Sequence, residues 1–142
     1  MIETIDEFSR RLEQLDPDDA GFAVETHDVI KELSPSVAEN VYTAIFLYFE
    51  AHPEADCGSP GALVHHIEKY YPNYVDALIQ SVNRQPTFYG VWMINRILNS
   101  SVKSGLRQRL FESIVRASND PLAAPHVREM ARDDVERHQD RL

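Results

Sequence analysis

The densest group of metal-ligating side chains in the sequence is His65, His66 and Glu68. His65 and Glu68 are three residues apart, so on a helix they share one face and could hold one metal ion. No second pair of ligands stands at a matching spacing, and a His-Glu-x-x-His motif is absent. We therefore predict no metal and no cofactor here, but one partly buried histidine beside one exposed one.

The only cysteine, Cys57, lies in a predicted loop, near His52 and His65 in sequence. A thiol nucleophile needs a base and an anion hole, and no Gly-x-Ser-x-Gly turn offers one. The phosphate-binding motifs Gly-x-x-x-x-Gly-Lys and Gly-x-Gly-x-x-Gly are also missing. The paired carboxylates Asp18-Asp19 and Asp133-Asp134 lie on polar stretches, where burial would not shift their pKa. The sequence predicts a protein that is not an enzyme.

A stripe of carboxylates is the more useful feature. Asp18, Glu25, Asp28 and Glu32 are separated by seven, three and four residues, so on one helix they form a stripe beside its apolar face. Glu39 adds a charge on the next helix. Such a stripe can speed the association of a basic partner, and solubility is the alternative reason for it.

Charge is unevenly distributed along the chain. Of the 142 residues, 1–56 hold 14 acidic and three basic side chains, whereas 57–142 hold nine and 11. An acidic half repels nucleic-acid phosphates and attracts basic surfaces, so we expect a basic protein partner and no direct nucleic-acid binding. In the C-terminal half, a group of basic residues is able to pair with the acidic half; the group is Lys103, Arg107, Arg109 and Arg116.

Length and composition indicate one globular domain over residues 1–142, with an acidic half (1–56) and a slightly basic half (57–142). The longest apolar run, Val41 to Phe49, is only half the length of a membrane span. The acidic N-terminus does not look like a signal sequence, and one cysteine cannot form an internal disulfide. We expect a cytoplasmic protein that does not associate with membranes.

Apolar residues recur at helical spacing along almost the whole chain, which predicts an all-α fold of about eight helices. Thr4 and Glu7 can form a capping box, and Asp-Pro or Ser-Pro pairs suit helix starts. The third predicted helix is apolar almost all round and is expected at the centre of the core. Stacked hairpins of HEAT or armadillo type and an irregular bundle both remain open. The predicted helices are near 2–15, 17–33, 35–51, 60–70, 72–83, 86–99, 103–118 and 121–139.

The only tryptophan, Trp92, has mostly apolar neighbours, so it is expected to pack in the core. Phe88 and Tyr89, which precede Gly90, are the better candidates for a contact with a partner. Together with the acidic stripe, they complete the predicted partner-binding residues.

A resemblance is carried by the segments Ser-Pro-Gly-Ala-Leu-Val-His-His-Ile-Glu-Lys-Tyr-Tyr (59–71), Arg-Gln-Pro-Thr (84–87) and Val-Trp-Met-Ile-Asn-Arg-Ile-Leu-Asn (91–99). Together they resemble HEAT-like all-helical immunity proteins found beside bacterial polymorphic toxins, including contact-dependent growth-inhibition systems. The similarity covers residues 59–101, under a third of the chain, and transfers architecture better than it transfers a binding site. It implies a non-enzymatic toxin inhibitor in the cell's own cytoplasm.

Two functions follow from these observations. The first is an immunity protein that occludes a cognate toxin domain, with a nuclease fitting the acidic face best. The alternative is a helical-repeat scaffold or adaptor that mediates protein–protein interaction.

Overall fold

Helices make up about two thirds of the chain and no strand is present, so the predicted all-α fold class is confirmed. The computed structural model describes all 142 residues. A 3-10 turn at Gln139–Arg141 follows the last helix. The helices in chain order are α1 (Ile5–Glu13), α2 (Phe22–Lys31), α3 (Pro35–Ala38), α4 (Tyr42–Ala51), α5 (Gly61–Glu68), α6 (Val75–Arg84), α7 (Phe88–Leu98), α8 (Ser104–Ser118) and α9 (Pro125–His138).

The sequence predicts a single helix over 35–51. This prediction is wrong, because the segment forms two helices, α3 and α4. Helix α3 ends at Ala38, and the N–H of Asn40 donates to the carbonyl of Val37 at 2.9 Å. This three-residue spacing tightens the last turn, and asparagine is a poor helix former. The chain therefore turns at residues 39–41 before it forms α4.

Of the Asp-Pro and Ser-Pro pairs that suit helix starts, only one begins a helix at the proline itself. Ser34 caps α3, whose first residue is Pro35. After Asp16 and Asp120 the chain forms turns instead, and the next helices begin at Phe22 and Pro125. Each aspartate accepts the backbone N–H two residues on, at 2.9 and 2.8 Å. The carboxylate that could cap a helix therefore stabilises a turn.

Backbone contacts divide the chain into two compact units, residues 1–75 and 76–142. In the first unit, α1 packs against α4 and α2 packs against α5. A parallel β-bridge joins Ile2 to Leu33, and the N–H of Ser34 donates to the carbonyl of Ile2 at 2.8 Å. Helix α4 lies in the core as expected, with a buried set of Ala44, Ile45, Phe46, Tyr48 and Phe49.

In the second unit, α8 and α9 form a helical hairpin, and α7 packs against both. Gly90 in α7 lies so close to α6 that a Cβ there would be 2.9 Å from Cγ2 of Val82. Glycine therefore permits this close approach of the two helices. The α8–α9 side of the core is formed by Leu110, Ile114, Ala117, Val127 and Ala131.

None of the helices combines the length and the apolar character that crossing a membrane requires.

Candidate functional site: an apolar groove beside an acidic turn

An open groove of about 400 Å³ lies between α1 and α4 in the first unit. Most of its wall is apolar, and Leu47 remains 49% exposed on it. A large apolar side chain held this far into solvent loses the stabilisation that burial would give. The groove, which we call the α1–α4 groove, is lined by Ser9, Leu12, Glu13, Ala44, Leu47, Tyr48 and Ala51.

The predicted capping box sets where α1 begins. Thr4 Oγ1 accepts the N–H of Glu7 at 3.1 Å, and Glu7 Oε1 accepts the N–H of Glu3 at 3.2 Å. These bonds satisfy backbone donors that a helix start leaves free. From this start, α1 buries Phe8 and Leu12, and Leu12 contributes to the groove.

Tyr48 lines the α1–α4 groove and carries a buried hydroxyl. Its side chain is 3% exposed, yet its hydroxyl has no hydrogen-bond partner within the protein. Burial raises the pKa of Tyr48 to about 12, and the nearby carboxylates of Glu13 and Asp16 add to the rise. The hydroxyl therefore stays neutral at physiological pH. A buried polar group left without a partner costs about 1–3 kcal/mol, and the free protein carries this cost in the wall of the groove.

One end of the groove is acidic. Glu13 at the end of α1 contacts His52 Nε2 after α4, at 2.9 and 3.1 Å. The chain then enters residues 16–19, which hold three aspartates and which we call the acidic turn. The next residue to pack is Phe22, whose ring stacks on Tyr48 with centroids 6.4 Å apart. This stacking places the acidic turn close to the groove.

Asp18 does not belong to the predicted helical stripe, because α2 begins only at Phe22. It lies instead in the acidic turn, where Asp16 and Asp19 accept backbone N–H groups and Asp18 accepts none. Its carboxylate is exposed and available to a partner. The helix was predicted to begin at residue 17 because Asp-Pro suits both a turn and a helix start.

Two members of the stripe do lie on α2. Asp28 is exposed and forms no ion pair. Glu25 is partly buried, and its carboxylate folds back toward Gly21, where a Cβ would be 3.1 Å from Oε1. Of the two, Asp28 is the better placed for contact with a partner.

Glu32 is engaged within the chain. Arg11 of α1 donates to both of its oxygens, at 2.5 and 3.3 Å, and this hydrogen bonding lowers the pKa of Glu32. Its charge is therefore largely offset by a neighbouring cation. Glu39, in the turn after α3, is exposed. Of the predicted acidic residues, Asp18, Asp28 and Glu39 are thus exposed, Glu25 is partly buried and Glu32 is in an internal ion pair.

The aromatic predictions for α7 need correction. Tyr89 is only 7% exposed, because it follows the same helix side as the buried Met93 four residues later. Trp92 is partly exposed rather than a core residue. It forms a partly exposed row with Phe88, 5.4 Å away between ring centroids, and with Arg96, whose guanidinium lies 5.8 Å from the Trp92 ring.

The residues considered for catalysis or metal binding differ in their burial. Cys57 is buried, and burial raises the pKa of its thiol to about 12, so the thiolate is scarce at neutral pH. His65 is exposed, whereas His66 is buried with Nε2 at 2.6 Å from the carbonyl oxygen of Ala38. No group of three or more His, Cys, Asp or Glu side chains is placed to hold a metal ion.

Sequence reasoning missed the α1–α4 groove. Helix α4 is apolar almost all round, so the pattern alone does not separate the exposed Leu47 from its buried neighbours. The available signal was Thr43, the polar residue four positions before Leu47 and on the same side of the helix.

No protein-family model matches the chain, no curated protein matches it in sequence, and no solved structure matches it.

Proposed function

We propose that this protein is an immunity protein that binds a cognate toxin domain and neutralises it by stoichiometric occlusion. The observation that carries the proposal is the α1–α4 groove with its half-exposed Leu47, set beside the acidic turn. Its occupant is a segment of the toxin with apolar and basic side chains. The action is non-catalytic, and the protein requires no cofactor.

The charge of the first unit supports a basic partner. Residues 1–75 hold 15 acidic and four basic side chains, a net charge of −11. Exposed carboxylates at Asp18, Asp28 and Glu39 form no ion pairs within the chain. A field of one sign steers an oppositely charged protein and raises its association rate. A nuclease domain fits best among toxins, because its groove is lined with cations that bind phosphates.

The first test is co-purification of the tagged protein with the product of the neighbouring upstream reading frame. A tight 1:1 complex that abolishes the toxicity of that product is the expected result. Failure of that product to bind would contradict the immunity proposal.

A second test distinguishes electrostatic steering by the acidic surface of the first unit from an effect of net charge alone. Asp18→Asn, Asp28→Asn and Glu39→Gln together should slow association with the toxin and flatten its dependence on salt. The matched control removes three exposed carboxylates from α9, through Glu129→Gln, Asp133→Asn and Glu136→Gln. Equal slowing by both triple variants would show that net charge alone acts and that the acidic surface of the first unit is not the docking face.

An adaptor function is the second candidate, favoured by the partly exposed row of Phe88, Trp92 and Arg96. Tryptophan and arginine are enriched among residues that dominate protein interfaces. An adaptor would use this row for a second partner. Trp92→Ala would then abolish capture of that partner and leave binding through the α1–α4 groove unchanged.

A further inference from the structure

A second cavity, of about 360 Å³, lies between α2 and α5. Its volume is near the lower end of the range for small-molecule sites. We call it the α2–α5 cavity. Its lining consists of His27, Ile30, Lys31, Leu33, Ala38, Ala62, His65, His66 and Lys69.

The charge of this lining is opposite to that of the surrounding unit. Residues 1–75 contain 15 acidic side chains, and none of them lines the α2–α5 cavity. Two of the unit's four basic residues, Lys31 and Lys69, do line it, together with three of its four histidines. Asp28 and Glu68 are each adjacent in sequence to a lining residue, but neither side chain lines the cavity. The cavity is therefore a local cationic site in an acidic unit.

His66 provides a second, independent observation. It is 95% buried, its Nε2 donates to the carbonyl of Ala38 at 2.6 Å, and its Nδ1 has no partner. Because Nε2 carries the donated hydrogen, Nδ1 of the neutral ring is an acceptor. It can accept a hydrogen bond from an O–H group. The lining therefore combines two lysines with a buried imidazole whose Nδ1 lacks a partner.

A phosphate group matches this combination. Its second pKa is about 6, so near neutral pH it carries negative oxygens and, for part of the time, an O–H. The oxygens would accept from Lys31 and Lys69, and the O–H would satisfy Nδ1 of His66. The apolar remainder of the lining suits a small organic group attached to the phosphate.

We propose that the α2–α5 cavity binds a phosphate group, as the free ion or as the phosphate of a small monoester. The site is separate from the α1–α4 groove, and the proposal does not rest on the immunity function.

The test is titration of the full chain with inorganic phosphate and, separately, with phenyl phosphate, at constant ionic strength set by sodium chloride. Backbone amide shifts in NMR spectra should saturate at Ala62, His66 and Lys69, with a Kd of about 1 mM or tighter. Tighter binding of phenyl phosphate would assign the monoester, and equal binding would assign the free ion. The absence of saturation at these residues for both probes would overturn the proposal.

Variants distinguish a built site from general attraction. Lys31→Gln with Lys69→Gln should weaken binding at least about tenfold, because two charge-assisted bonds are lost. Arg10→Gln with Lys103→Gln removes the same charge from exposed positions elsewhere and should change the Kd less than about twofold. Equal weakening by both pairs would contradict a specific site.

His66→Gln tests the buried nitrogen. The glutamine amide can still donate toward Ala38, but nothing replaces Nδ1. With the fold checked by circular dichroism, phosphate binding should weaken by about tenfold. Unchanged binding in this folded variant would remove His66 from the site and overturn the proposed geometry.

Discussion

The two units use their charged side chains differently. In residues 76–142, arginines bond to the fold itself. Arg107 donates to the carbonyls of Leu98 and Ser100 at 3.1 and 3.0 Å, and Arg128 donates to that of Ala123 at 2.5 Å. In residues 1–75, cations are few, and several exposed carboxylates have no ionic partner. Arginine charges therefore stabilise local structure in the second unit, whereas several carboxylate charges in the first unit have no ionic partner.

The carbonyls bonded by Arg107 show why this matters. They lie at or just beyond the end of α7, where helix carbonyls lack intrahelical partners. A cation there satisfies the acceptors and also opposes the negative end of the helix dipole. The exposed carboxylate of Asp18, by contrast, bonds to no group within its own unit. Removing charge should therefore affect folding in the second unit and association in the first.

Arg137→Ala should have the largest effect on stability. Its guanidinium pairs with Asp134 at 2.8 Å, and Asp134 is 3% exposed. Contrary to the expectation from the polar sequence around Asp133-Asp134, burial raises the pKa of Asp134 despite this partner. Loss of the arginine would leave a buried carboxylate unpaired, so the free energy of unfolding at pH 7 should fall by about 2–3 kcal/mol in urea.

Two controls sharpen this test. Arg109 forms an exposed pair with Asp76 at 2.7 Å, so Arg109→Ala should cost under about 1 kcal/mol. Asp134→Asn, combined with Arg137→Ala, should recover much of the loss because no buried charge remains. Equal costs for the two arginines would show that burial of Asp134 does not matter.

A pH effect of intermediate size should involve both units. Burial lowers the pKa of His66 and of His138, and for His138 the neighbouring Arg141, Arg137 and Arg107 lower it further. Below the ordinary pKa of about 6.5, the unfolded chain binds protons that these folded histidines do not. The stabilisation that these two neutral histidines contribute is therefore fully present above that pH and is lost as the pH falls.

Urea midpoints measured between roughly pH 5 and 8 should rise with pH, mainly below the ordinary histidine pKa. His66→Gln and His138→Gln should each remove part of the slope. Asp134 acts in the opposite direction: its raised pKa adds stability in acid that is lost as the pH rises through that pKa. A flat profile in the unmodified protein would contradict neutral buried histidines.

Tyr48→Phe should have the smallest effect on folding. It removes a buried hydroxyl that has no partner, so stability should stay the same or rise by up to about 1 kcal/mol. Binding of the proposed toxin partner should change less than about twofold, because the hydroxyl is buried and is not presented to the groove. Thermal unfolding and binding calorimetry on the same variant separate these effects. A clear loss of stability would indicate that the hydroxyl is satisfied in the free protein.

Sequence patterns predicted the helices better than the surfaces. Burial of α4 follows from its composition, and the capping box at Thr4 and Glu7 depends on neighbouring residues only. The division of residues 35–51 was missed because a short turn at Asn40 interrupts a continuous apolar pattern. Asp18 was placed on a helix because Asp-Pro is compatible with two local structures.

The binding surfaces depend on which elements meet, and spacing within one helix does not determine that. By its spacing alone, Glu32 is a candidate for contact with a partner. In the folded chain it is bonded to Arg11, 21 residues earlier. The α2–α5 cavity gathers Lys31 and Lys69 from segments far apart in sequence. Trp92 and Tyr89 are three residues apart, yet their exposure depends on which helices cover each side of α7.

The exposed row of α4 has a consequence for how such a protein could diversify. Thr43, Leu47 and Ala51 are exposed at four-residue intervals, while the other side of the helix forms the core. Substitutions at Leu47 and Ala51 would change the α1–α4 groove without disturbing the buried aromatic side chains. Related chains could therefore differ in the shape of this groove while sharing one fold.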